Sequence, residues 1–414
     1  MWKRRKHVIV AVAVGAVLLY FFYYTSNPRM ILPFSKVSGL SREVVFVSVF
    51  DEKKVLLSNI SKNKGSWHKE ISESVKLGNA SARATNVYHQ ATIATTPDGM
   101  RVFVCANDEL GEFDTSGTLL RRILIDEFKL TTDGRFGEMI QAANDRLWLS
   151  VGEQIIEWQT DKHPSTRLLA PGDGVFMWIA DPVENRIFLV GVKCGILNLD
   201  TNKFLEKAWQ NKGTFCDFVQ NKGLLLSGAI ASGKEDRILK IDTSNDAEVD
   251  ITWGAQAQWG CDGYIYFIRG STHISRCKPD GGKVETVYSA TRRVRGGKEG
   301  TGNELKFNHD RSLLAFYHKV PCRGAEETFG LFASKYDFGI VFIDLRAKEF
   351  MELTEDDFCR ICLGMFSEGL ISLSGAFINL KHRRVFWEIK NMALLTTDDA
   401  NGSSIPTTET IKPR

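Results

Sequence analysis

The sequence predicts an all-β fold, built by repetition and led by one membrane-crossing helix. Three observations carry this. A four-strand pattern recurs with a period in the low forties, the two ends of the chain supply complementary halves of it, and an uncharged apolar run follows a basic amino terminus. Short strands recurring at this period are the pattern of propeller blades. The expected fold is a seven-bladed β-propeller, with six or eight blades left open, preceded by an N-terminal transmembrane helix.

The amino terminus comes first. "MWKRRKH" (1–7) carries Lys3, Arg4, Arg5 and Lys6, and Val8 to Tyr24 follow without a charge. At the rise of an α-helix, 8–24 spans roughly 26 Å, the short end of what crosses a bilayer. The aromatic cluster from Tyr20 to Tyr24 suits the membrane interface. Flanking bases favour a cytoplasmic amino terminus, which sends the rest of the chain to a periplasmic, luminal or extracellular space. No small-residue cleavage site follows the run, so an uncleaved single-pass signal-anchor is the preferred reading over a cleaved signal peptide. Residues 25–42 read as a linker and 43–395 as the propeller. The polar tail 396–414 lacks apolar periodicity and reads as disordered.

The repeat is clearest in "TPDGMRVFVCANDELGEFDTSGTLLRRI" (96–123): turn, apolar run, turn, apolar run. Further copies are "DRLWLSVGEQIIEWQTDKHPSTRLL", "NRIFLVGVKCGILNLDTNKFLEKA", "GLLLSGAIASGKEDRILKIDTSNDAEV" and "GYIYFIRGSTHISRCKPDGGKVETV", with a sixth starting at "SLLAFYHK". Asp114, Trp158, Asp200 and Asp242 occupy matching positions 44, 42 and 42 residues apart. The recurring Asp has a local cause, since a short carboxylate at the start of a tight turn accepts bonds from the turn's own N–H groups. "EVVFVSVFDEKKVLL" (43–57) matches only the second half of a unit and "GLISLSGAFINLKHRRVFWEI" (369–389) only the first. Pairing the halves in one shared blade closes the ring without leaving a free strand edge. An additional hairpin in 58–83 would change the blade count.

The stretch "ATIATTPDGMRVFVCANDELGEFDTSGTLLRRI", with its Pro-Asp-Gly turn before one strand and an Asp closing the next hairpin, resembles the repeats of the YVTN, TolB-like and WD40-like propeller superfamily. The likeness covers most of 43–390 at repeat level, without the Gly-His and Trp-Asp pair of strict WD40 repeats. It implies the fold. Functions within the superfamily are too varied for it to imply an activity.

Composition excludes some classes. Of 414 residues, 43% are hydrophobic and 11% aromatic, enough for a real core, and 53 Lys and Arg against 50 acidic residues leave a net charge of +3, too balanced for a nucleic-acid partner. "GAIASGKED" nearly spells a phosphate loop. However, Glu235 stands where Ser or Thr is required, and the stretch joins two strands, so it reads as a hairpin turn. Cys359 and Cys362 in "CRIC" read as a local disulfide or a thiol pair, and Cys105 as a small buried hydrophobe. His309 and His382 stand before strands and read as exposed turn residues. No metal-ligand histidine spacing and no serine-nucleophile elbow occurs.

Two candidate sites follow. Residues leading into the inner strands bring His89, Gln141, Trp178, Asp217, Gln258 and Glu304 toward the ring axis, where they are expected to line a polar channel or hold a small polar ligand. No cofactor is required, although calcium would suit such oxygen donors. "RRVRGGK" places Arg292, Arg293, Arg295 and Lys298 in one connection between blades, a candidate grip for an anionic partner. The preferred reading is a membrane-anchored binding or scaffold module for a protein, glycan or envelope component. The alternative is a propeller enzyme (lyase, lactonase or quinoprotein-like) in which Asp217, Glu304 and His89 serve a metal or cofactor.

Overall fold

A computed structural model of the chain describes residues 29–42, 44–50, 54–60, 67–70, 92–106, 109–124, 136–143, 145–151, 154–159, 167–168, 175–191, 194–209, 213–228, 237–270, 273–289, 305–321, 336–353, 370–373, 376–379 and 389–395. Strands and turns make up these residues, and none of them forms a helix long and apolar enough to cross a membrane. The expected anchor (8–24) and tail (396–414) lie outside the described residues.

The fold is a β-propeller. Six sheets each take four strands consecutive in the chain: 92–124 (blade I), 136–168 (II), 175–206 (III), 214–253 (IV), 255–289 (V) and 305–353 (VI). One more sheet is assembled from both chain ends, in the order Ile389–Leu395, Val44–Phe50, Lys54–Ile60, Trp67–Glu70. The innermost strands are Thr92–Thr95, Phe136–Ala142, Val175–Asp181, Thr214–Val219, Ala255–Trp259, Leu305–Phe307 and Ile389–Leu395. Each touches the next in this order, and Ile389–Leu395 touches Thr92–Thr95, so the ring is closed.

The shared sheet corrects one expectation. Residues 369–389 were expected to pair with the amino-terminal half-unit, but Ile389–Leu395 does so, from Val45↔Leu395 to Phe50↔Ile389. Leu370–Leu373 and Ala376–Asn379 instead pair with each other as a separate two-stranded sheet. The local partner wins because closing so short a loop costs far less chain entropy than reaching the ring.

Burial explains why the repeats read as apolar runs. Val102, Phe103, Val104 and Cys105 are all buried because blades cover both faces of the middle strands, whereas the outer strand Lys203–Glu206 is exposed throughout. The core is a series of layers between neighbouring blades. Phe103 meets Trp158 edge-on at 6.3 Å between I and II. Trp148 packs with Trp178 between II and III, Phe188 with Leu224 between III and IV, Leu225 with Phe267 between IV and V, and Tyr288 with Phe316 between V and VI. The expected turn chemistry is present, with Asp114 Oδ1 accepting from Ser116 N (2.9 Å) and Thr118 N (2.8 Å).

Candidate functional site at the axis

Antiparallel strand order separates the two faces of the ring. Turns from first to second and from third to fourth strands emerge on one face, here called the turn face. All other connections emerge on the opposite, loop face. The described first-to-second connections on the turn face are short: 96–100, 182–185, 220–222, 260–264 and 308–312. The longest of the remaining connections in the sequence, 71–91, 290–304, 322–335 and 354–388, lie outside the described residues except for 370–373 and 376–379.

Gln141, Trp178, Asp217 and Gln258 lie on inner strands as expected, but their polar atoms join blades to one another. Gln141 Nε2 donates to Ala180 O and its Oε1 accepts from Ala180 N, both at 2.8 Å, so one side-chain amide stands in for a strand between blades II and III. Gln258 does the same between V and VI, donating to Leu305 O (2.7 Å) and accepting from Phe307 N (3.1 Å). Trp178 is buried, and its Nε1 donates to Ser150 Oγ across the II–III boundary (2.8 Å). His89 and Glu304 lie outside the described residues, as do Arg292, Arg293, Arg295 and Lys298.

Asp217 is the most committed of these. Arg311 grips it with both Nη atoms (2.7 and 2.8 Å), while Trp259 N and Phe218 N each donate to one of its oxygens (2.8 and 2.9 Å). Three blades, IV, V and VI, therefore meet at one carboxylate. Any cation recruited to Asp217 would have to displace a guanidinium already in bidentate geometry. Among the described residues no three His, Cys, Asp or Glu groups are placed to share a metal ion.

Sequence reasoning missed Arg311, although its signal was present. In blades I and V the turn's left-handed position is glycine, Gly99 (φ 70°) and Gly263 (φ 83°), each donating to the residue three before it. In blade VI that position is Arg311 (φ 62°), bonded to Asn308 in the same way. "PDG" and "CDG" thus become "HDR". A side chain in this conformation costs about 1 kcal/mol or more, and the grip on Asp217 offsets that strain.

The same turn also reaches the other way. His309 Nε2 lies 2.7 Å from Thr95 O and 3.1 Å from Thr95 Oγ1 in blade I, beyond the shared sheet. Residues 308–312 therefore cross the turn-face mouth of the axis, tied to blade IV on one side and blade I on the other. His309 is exposed, as expected of a turn residue, while its bonds to Thr95 are part-buried. Burial, opposed by the bond to Thr95 and assisted by the Arg311 charge, holds its pKa below the usual histidine value.

A second set of unanticipated residues links successive turns. Arg146 of blade II donates to Asn185 Oδ1 (2.6 Å) and Pro182 O (3.4 Å) of blade III. Arg186 of III lies over the Phe218 ring of IV at 5.8 Å. Lys222 of IV donates to Gly260 O of V (3.3 Å) and lies 5.5 Å from the Trp259 ring. In blades II, III and IV the base that precedes the apolar run is thus a staple to the next blade.

No family model and no curated protein matches the sequence. Similar solved structures include TolB from Acinetobacter baumannii, with 9% identity, TM-score 0.40 and coverage of 76% of this chain and 64% of that one. Oligogalacturonate lyase in complex with manganese is 11% identical, TM-score 0.45, covering 70% and 94%. The beta-propeller domain of Swd1 from Myceliophteria thermophila is 10% identical, TM-score 0.41, covering 69% and 96%. This chain spans 64% of the TolB length. At such identities no site residue transfers.

Proposed function

We propose that the protein is a membrane-anchored binding module, a seven-bladed ring held outside the cytoplasm by residues 8–24, that recognises a protein, glycan or envelope component through its loop face. The observation that supports this most is how the polar groups are used. Gln141, Trp178, Asp217 and Gln258 are spent on joining blades, and the turn-face mouth is crossed by 308–312, which leaves the long connections of the opposite face for recognition. Arg292, Arg293, Arg295 and Lys298 belong to one of those connections and would favour an anionic surface on the partner.

The test is cross-linking of the full chain in cells, followed by capture and identification of the partner. A discrete adduct that is lost when the four bases of 292–298 become Ser places recognition on the loop face. An adduct insensitive to those bases but lost on changing turn-face residues would overturn the assignment of the face. Alkaline extraction of membranes tests the anchor separately, since a peripheral protein would be released and a spanning one retained.

A further inference from the structure

The segment read as a linker is laid along the rim from Arg29 onward. Arg29 and Met30 pair antiparallel with Ser289 and Tyr288 on the outer edge of blade V. Ser35 and Lys36 then run parallel to Glu349 and Phe350 on the outer edge of blade VI. Between and beyond these short ladders, Ile31 N donates to Val287 O (2.8 Å), Ser35 N to Lys348 O (2.9 Å) and Val37 N to Phe350 O (3.0 Å). Met30, Leu32 and Phe34 pack against the apolar layer between the two blades. Ser41 binds Glu349 through its N and Oγ, and Arg42 binds Asp344 Oδ2 and Ser312 Oγ. Two residues later, at Val44, the chain becomes the strand that pairs with Ile389–Leu395 and closes the ring.

We propose that residues 29–42 are a releasable clasp, and that its docking and the closure of the shared sheet form one cooperative unit. The sheet that closes the ring joins strands from opposite ends of the chain, so its formation carries the largest loop-closure cost in the fold. Docking at Arg42 holds Val44–Phe50 beside its partner and removes most of that cost by raising their effective concentration. The clasp is held by two-residue ladders, partly buried side chains, the buried Leu40 and the Arg42–Asp344 pair, with no longer ladder to any blade, which places its opening free energy below that of the four-stranded blades. Traction on the chain before Arg29, or cleavage within 29–42, is thereby converted into loosening of the shared sheet, while blades I to IV stay folded. This does not depend on the identity of the partner or on the membrane anchor.

Native-state hydrogen exchange of the full chain in low urea tests the coupling without altering a residue. The amides of Ile31, Ser35 and Val37 and those of Val44–Phe50 should open together, with one urea dependence and at least tenfold faster than the middle strands of blades I to IV. If the rim amides open while Val44–Phe50 stays protected at the level of those blades, the clasp is surface decoration and the proposal fails. A covalent clasp gives the reverse test. In the Arg29→Cys, Ser289→Cys double variant, oxidation should slow exchange of Val44–Phe50 about tenfold and reduction should restore it. Exchange that ignores the cross-link would equally overturn the proposal.

Discussion

Replacing Arg311 by Gly and by Ala separates the two opposed terms at the turn-face mouth. Asp217 and Arg311 keep 8% and 25% side-chain exposure and are joined by two short charge-assisted bonds. Removing one partner of a buried pair costs about 3–5 kcal/mol. The partial exposure of Arg311 and the two N–H groups still serving Asp217 set Arg311→Ala near the low end, about 3 kcal/mol. Glycine loses the same ion pair but accepts φ 62° without strain, so Arg311→Gly should cost about 1 kcal/mol less than alanine. Asp217→Ala, which also leaves Trp259 N without its acceptor, should cost about 3 kcal/mol. The two alanine substitutions combined should cost less than their sum, because they break one interaction. Urea unfolding of the purified chain reads all four variants. If Arg311→Gly were less stable than Arg311→Ala, the strain argument would be wrong; if Asp217→Ala were within 0.5 kcal/mol of the parent, the pair would not be structural and a ligand role for Asp217 would regain its place.

Four other outcomes are expected. Gln141→Leu and Gln258→Leu should each lower stability by about 2 kcal/mol in urea, since each orphans a backbone N–H and a carbonyl at a blade boundary; no change would mean that the amide clamps are incidental. Burial alone would raise the carboxyls of Asp310 and Asp344, but bonds from Ser312 to the first and from Arg42 and the 346–347 N–H groups to the second hold both below the ordinary value. Their stabilisation is therefore complete above about pH 3.9 and drains as pH falls through the lower folded values, so rim exchange at Ile31, Ser35 and Val37 should accelerate only in that acid window. His309 is depressed in the folded state, so its contribution is full above about pH 6.5 and declines below it; His309→Gln should flatten that part of the stability profile. Among Cys105, Cys194, Cys216, Cys261 and Cys277, exposed Cys261 should alkylate first, yet slowly at neutral pH, because burial and the nearby Asp262 and Asp310 charges raise its thiol. Cys277, pushed up to about 11 by burial, and fully enclosed Cys105 should react only on unfolding, as peptide mapping would show.

The blades themselves were legible in the sequence, because each rests on short-range chemistry. The carboxylates that cap the turns at Asp114 and Asp242 and the unbroken apolar runs come from residues within one hairpin of each other, although in blade III the cap is Asn198 and not the expected Asp200. So too was the principle that the two ends share a sheet. Which carboxy-terminal strand does the sharing was not, because 370–379 and 389–395 both carry apolar strand patterns and only the cost of reaching the ring decides between them. The bonds that four of the axial candidates make were not legible for a related reason. Sequence places Gln141, Asp217 and Gln258 on inner strands but cannot say whether a polar group there meets an open channel or the backbone of the next blade. Arg311 and the rim clasp lie further still from sequence reasoning, joining residues 94 and 302 positions apart. What the chain encodes locally is each blade; what only the closed ring decides is which polar groups on the inner strands are spent between blades, since those that the ring brings together must satisfy one another once desolvated.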